Sequence, residues 1–154
     1  MSESKEQVRT KKQVQRIPIG VSACVIGHKV RYDGGHKKDR FVMETLGPFV
    51  DYHTVCPEVE LGLGTPRPTI RLCLDESDPD GLPKLVMPST GEELTQRMEV
   101  LARKRVSMVD DKKLCGFIVQ SNSPSCGMSR VKVHHERGGR PLRNGVGVFT
   151  RVLM

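Results

Sequence analysis

Tryptophan is absent from the 154 residues, and four phenylalanines with two tyrosines hold the aromatic share to 4%. Single-stranded nucleic acids are gripped largely by stacking bases on aromatic rings, so any nucleic-acid contact must rest on phosphate and shape recognition. Long apolar runs are also missing. None approaches the roughly 20 residues that cross a bilayer, which excludes a helical membrane span. The opening stretch MSESKEQVRTKKQVQR has no apolar h-region and no small-residue cleavage site. No secretory signal peptide is therefore expected, and the expected compartment is the cytoplasm. Cysteines two to four residues apart are lacking too, which removes zinc-finger and zinc-ribbon patterns together with the ferredoxin spacing.

What is present describes an ordinary globular chain, 36% hydrophobic and 28% charged. Its length suits one compact domain, which at this size buries roughly 68–70% of its unfolded surface without needing disulfides. Five cysteines is an odd number, so a complete disulfide framework is excluded, and reduced thiols are able to hold metal. A net charge of +7 and a pI of about 9.4 favour polyanionic partners through counterion release, although a solvated basic surface has the same composition.

Residues 1–16 are polar and charged without an apolar period, which predicts a flexible basic arm, with the folded domain spanning 17–154. Ile17, Ile19 and Val21 alternate with Pro18, Gly20 and Ser22, a strand pattern that stops at Ala23-Cys24. A helix is predicted over His36 to Leu46, ending at Gly47. Phe49 to Val55 reads as a second strand running into Cys56-Pro57-Glu58, and 61–68, rich in glycine and proline, reads as a shaped loop. Short strands are expected over Thr69–Leu74 and Leu85–Met87. Thr90 and Glu93 suggest a capping box opening a helix to about Val109, with Leu94, Met98, Leu101 and Ala102 buried. Cys115 to Ser121 reads as a buried strand delivering Ser121-Asn122-Ser123-Pro124-Ser125-Cys126-Gly127. The alternation predicts an α/β domain, a mostly parallel sheet flanked by helices, with the ligand site at the carboxyl ends of the strands.

The cysteines divide by their neighbours. Cys73 and Cys115 lie in apolar runs, where a thiol packs as a small hydrophobe. Cys24, Cys56 and Cys126 lie in loops beside glycine, proline or serine, where backbone amides can stabilise a thiolate or a cluster. Spacing alone leaves two readings open for these three, a metal cluster or unrelated structural thiols.

Five segments, Val21-Ser22-Ala23-Cys24, Val30-Arg31-Tyr32-Asp33-Gly34-Gly35-His36-Lys37, Val55-Cys56-Pro57-Glu58-Val59, Gly62-Leu63-Gly64-Thr65-Pro66-Arg67 and Ser121 to Gly127, together resemble the motif set of the thiouracil desulfidase family. The resemblance runs from Ile17 to the C-terminus. It implies a 4Fe-4S cluster held by Cys24, Cys56 and Cys126, with one iron left open to a soft thiocarbonyl sulfur. The implied reaction is hydrolysis, which turns a thiolated uracil into uracil and releases sulfide without net redox change. It further points to an acidic residue beside the second cysteine and a serine near the third, here Glu58 and Ser123, with Ser121 as a further hydroxyl; Glu60 and Ser125 rank lower. Asp33, Gly34 and Gly35, before the predicted helix, and Ser22 are the expected substrate-binding residues, with Arg31, Lys37, Lys38 and Arg67 adding positive charge. The same three glycine and aspartate residues read equally well as a plain turn.

Within the family, the stretches Cys126–Val133 and Gly145–Met154 resemble the two-domain branch that acts on 4-thiouridine in tRNA, more than the members acting on free thiouracil. The expected partners are a thiolated uracil base or nucleoside and tRNA, with no membrane. Two rival readings remain at the level of sequence: a basic RNA-binding module with structural cysteines, and a zinc site built from the same thiols and a histidine.

Overall fold

A computed structural model describes residues 15–78 and 80–154. Most of the arm, with Lys5, Arg9, Lys11 and Lys12, lies outside the described residues. The alternating stretch forms strand β1 (Ile17–Ser22), the middle of a three-stranded sheet. On one side β2 (Val50–Val55) pairs with it in parallel, in register from Ile17 opposite Val50 to Ser22 opposite Val55. On the other, β6 (Phe117–Ile118) pairs in parallel with Gly20 and Val21. Gly20 is required here, since a Cβ would lie 2.2 Å from the Phe117 ring. Three strands running the same way bring their carboxyl ends to one edge, and each is followed by a loop that carries one of the three loop cysteines.

The second sheet has five strands in the order β5-β4-β3-β7-β8: β3 (Arg71–Leu74), β4 (Lys84–Met87), β5 (Glu92–Glu93), β7 (Val131–His135) and β8 (Leu142–Gly145). Only the β3–β7 pairing is parallel. The α/β class and the parallel sheet therefore stand, joined by a mixed sheet that sequence reading did not separate. Short connections such as 75–83 and 136–141 can only return the chain antiparallel, whereas parallel neighbours need a long crossover.

Among the described residues three α-helices complete the fold: α1 (Pro57–Glu60), α2 (Thr95–Asp111) and α3 (Val148–Leu153). Leu94, Met98 and Ala102 of the predicted stripe are fully buried, against Leu72, Leu85, Val131, Val133 and Phe149. Each large apolar side chain so removed from water stabilises by about 1.5–3 kcal/mol. Phe149 meets Phe117 edge-on at 6.2 Å between ring centroids, coupling α3 to the short β6. A smaller cluster, Val21, Val25 and Val42, includes the first cysteine, Cys24.

Several local expectations are corrected. Thr90 and Glu93 do not cap a helix: Glu92 and Glu93 form an edge strand opposite Met87 and Val86, and Thr90 Oγ1 accepts the Glu92 amide at 3.2 Å in the turn before it. The helix begins at Thr95, whose Oγ1 instead accepts the Leu85 amide at 2.9 Å. The helix expected over His36 to Leu46 shrinks to a π-helical turn, Phe41–Leu46, because the preceding amides are drawn elsewhere. Lys37 N donates to the Cys24 carbonyl at 2.9 Å and Asp39 N to that of Val25 at 2.8 Å. Only Phe117 and Ile118 of the run expected from Cys115 to Ser121 pair as a strand, and Cys115 is exposed rather than packed. Cys73 is buried as expected.

Candidate metal centre

Cys24 follows β1 directly and lies in a 3-10 turn, Ala23–Ile26, closed by Gly27 with φ +100°, a conformation that glycine adopts readily. Its carbonyl receives the Gly27 and Lys37 amides, which pins the turn to the strand of chain passing over it. Cys56 follows β2 at the N-terminal cap position of α1, where Pro57 takes the first helical place because no amide is needed there. The third loop is built by serine chemistry. Ser123 Oγ accepts the amides of Ser125 (3.2 Å) and Cys126 (3.1 Å), Asn122 takes a left-handed φ of 60°, and Thr150 Oγ1 donates to the Cys126 carbonyl at 2.6 Å. Gly147 lets α3 approach so closely: a Cβ there would lie 2.4 Å from the Ser125 carbonyl oxygen.

These three turns open on one cleft of about 930 Å³, lined by Cys24, Cys56 and Cys126 together with Glu58, Arg67, Ser22, Ser121 and Ser123. None of the five cysteines is in a disulfide. Burial is the main influence on all three thiols. It pushes Cys126 up to about 12, and raises Cys24 and Cys56 with help from neighbouring negative charge. Without a cation the thiols hold their protons; a cationic centre would draw them off, as coordinated thiols are deprotonated. Ser22 is 3% exposed, and its hydroxyl accepts the Gln120 amide at 3.0 Å beside Cys126.

Glu58 reaches the cleft from α1. Its Oε2 accepts Arg67 Nε at 2.9 Å and also Nη2, and its Oε1 accepts the Ser125 hydroxyl at 2.9 Å. Glu60 points elsewhere, to Arg105 on α2, with Nε to Oε2 at 2.6 Å. Ser121 and Ser123 both line the cleft, whereas Asp33, Gly34 and Gly35 do not. They form a tight turn at its rim, closed by the Gly35 amide on Asp33 Oδ1 at 2.9 Å, a bond that holds the Asp33 carboxyl below its usual range. No helix starts at His36; the first helical turn after these residues is Phe41–Leu46. Arg31, Lys37 and Lys38 do line the cleft, with the Arg31 guanidinium 5.6 Å from the Tyr32 ring centroid. Arg67 and Ser125 are the members that sequence reasoning undervalued: each is buried, and each meets Glu58 across a separation no local pattern reveals.

The donor chemistry suits an iron–sulfur group: three soft thiols from separate loops, Cys24 and Cys126 buried and Cys56 half-buried, line one sizeable cleft. Among the described residues no three His, Cys, Asp or Glu side chains gather closely enough to hold a single ion. Residues 19–154 match the family described as 2-thiouracil desulfurase. This chain belongs to the 2-thiouracil desulfurase family. Among its curated relatives, the uncharacterized protein YbbK of Bacillus subtilis (strain 168) is 32% identical over 114 residues, spanning 71% of this chain and 72% of its own. Among solved structures, the 2-thiouracil desulfurase fold described here matches TudS, a protein described as a 4Fe-4S-dependent thiouracil desulfidase. The TM-score is 0.69 at 28% identity, over 90% of this chain and 85% of that one.

Proposed function

We propose that this chain is a 4Fe-4S-dependent desulfidase that removes sulfur from a thiolated uracil by hydrolysis. The observation that carries the reading is the convergence of Cys24, Cys56 and Cys126, each from the end of a different parallel strand, on one cleft that also holds Glu58. Those three thiolates would hold the cluster. When bound, it supplies an iron without a protein ligand, which suits a soft thiocarbonyl sulfur and polarises the carbon that bears it.

The remaining chemistry belongs to side chains. Glu58 is the general base that takes a proton from the attacking water. Its Oε2 is occupied by Arg67, so Oε1, which receives only the Ser125 hydroxyl, keeps a lone pair for that proton. Ser123 accepts two amides at its oxygen, which leaves its own proton to donate into the cleft, towards the water or the base; Ser121 lines the cleft from the same loop. Ser22 packs at the floor beside Cys126. At the rim, the turn of Asp33, Gly34 and Gly35 sets Arg31, and Arg31, Lys37 and Lys38 supply positive charge for an anionic substituent on the base. The resemblance to the tRNA-directed branch favours 4-thiouridine over 2-thio bases, the positive charge favours it within the polyanionic tRNA in particular, and the reduced thiols suit the cytoplasm.

The experiment that tests this is anaerobic reconstitution with iron and sulfide, followed by loss of thiocarbonyl absorbance from 4-thiouracil, 4-thiouridine and 2-thiouracil with sulfide release measured in parallel. Equimolar sulfide and uracil product supports hydrolysis. A bound cluster with no turnover of any thiolated uracil contradicts the reading.

A further inference from the structure

We propose that Arg67 and Ser125 are positioning residues: together they fix the two oxygens of the Glu58 carboxylate, so that only Oε1 is presented to the cleft. The proposal rests on the role given to Glu58 above. A helix of four residues such as α1 cannot orient a side chain by itself, because a single turn is a nucleus with little cooperative support. The orientation must come from elsewhere.

Arg67 supplies one half. Its side chain is 3% exposed, and its fork closes on Oε2 through Nε and Nη2. Its other terminal nitrogen, Nη1, donates to the carbonyls of Val30 (2.9 Å) and Gly64 (2.8 Å), and its backbone amide donates to Tyr32 O at 3.0 Å. The guanidinium is thus anchored to the loop that follows the first cysteine before it touches Glu58. Ser125, fully buried, supplies the other half: its hydroxyl donates to Oε1, its amide is held by Ser123 Oγ, and its carbonyl accepts the Phe149 amide at 2.9 Å. The carboxylate therefore links all three cysteine loops, and neither oxygen can rotate without breaking a buried bond. Lysine in place of Arg67 keeps the charge but loses the planar fork. Alanine in place of Ser125 releases Oε1.

The test uses the full chain, prepared anaerobically, as R67K, S125A, E58Q and R67K/E58Q. Iron and sulfide content, urea unfolding, and kcat and KM per bound cluster are measured on each. The proposal expects R67K and S125A to keep most of their iron and a KM within about twofold, while kcat falls on the order of 10- to 100-fold, the loss typical of a reacting group displaced by about 1 Å. It also expects R67K and E58Q to be non-additive in both unfolding and kcat, since each breaks the same link. A purely structural ion pair would instead lower stability and iron content together and leave kcat per cluster unchanged; that result overturns the proposal. Additive unfolding in R67K/E58Q overturns it too, and this readout needs no turnover. Should wild-type protein hold iron yet act on no thiolated uracil, the reading of function fails while the unfolding cycle still decides whether the link exists.

Discussion

Cys126 illustrates how much at the level of single residues depends on neighbours far away in the chain. Its amide is held by Ser123, its carbonyl by Thr150, its thiol is buried beside Ser22, and its loop is braced by Ser125 on Glu58. Serine at any one of positions 24, 56 or 126 is expected to abolish turnover and most bound iron, because a hydroxyl does not replace a soft thiolate ligand. Serine at 73 or 115 is expected to retain the cluster, since Cys73 packs in the sheet and Cys115 is exposed on the loop before β6. Iron analysis of all five variants checks this, and full iron in C126S contradicts it. Glu58→Gln is expected to keep the visible chromophore while losing at least about 100-fold in kcat, the usual share of general-base catalysis. Near wild-type turnover of E58Q would move the base elsewhere.

Among the elements, α3 does more than close the core. Its first turn presses on the third cysteine loop through Gly147, and Phe149 and Thr150 donate bonds to the Ser125 and Cys126 carbonyls that shape that loop. Gly147→Ala would drive a methyl group into the Ser125 carbonyl and the Cys126 amide. A destabilisation of about 1–3 kcal/mol is expected from such overpacking, with a parallel loss of iron, measured by urea unfolding and metal analysis. A stable, fully loaded G147A would show that the loop does not depend on α3. This coupling was invisible in the sequence. The strand end at Ala23-Cys24 was legible because a period-2 apolar run stops there, that at Val55-Cys56 because β-branched and aromatic residues run into Cys56-Pro57, and the stripe of α2 because its spacing is helical. Local patterns misled where tertiary pairing intervened: Glu93 joined a sheet edge with Thr90 in the turn before it, and the residues after His36 bonded to the Cys24 turn. Arg67 and Ser125 were missed as partners of Glu58 because their bonds span 9 and 67 positions, beyond any periodic signal.

Seen whole, the molecule opens its cleft at the carboxyl edge of a parallel sheet, and Arg31, Lys37 and Lys38 line it. No helix among the described residues is long and apolar enough to cross a membrane. If the net charge of +7 and the cleft lysines serve RNA, turnover of 4-thiouridine in tRNA should fall steeply between low and moderate salt, while the free nucleoside should be nearly indifferent. Removing residues 1–16, with Lys5, Arg9, Lys11, Lys12 and Arg16, should flatten that dependence. Equal salt response for tRNA and nucleoside would assign the charge to a solvated surface and favour the free base as substrate.

The central claim is that three loop cysteines make one iron–sulfur centre, and its most direct measurement is iron and acid-labile sulfide per chain in anaerobically prepared protein, with C126S beside it. The account predicts about four of each per wild-type chain, as a 4Fe-4S cluster requires, with broad visible absorption, and little of either in C126S. Colourless wild-type protein that binds no iron after reconstitution, or C126S with the same content as wild type, would contradict it.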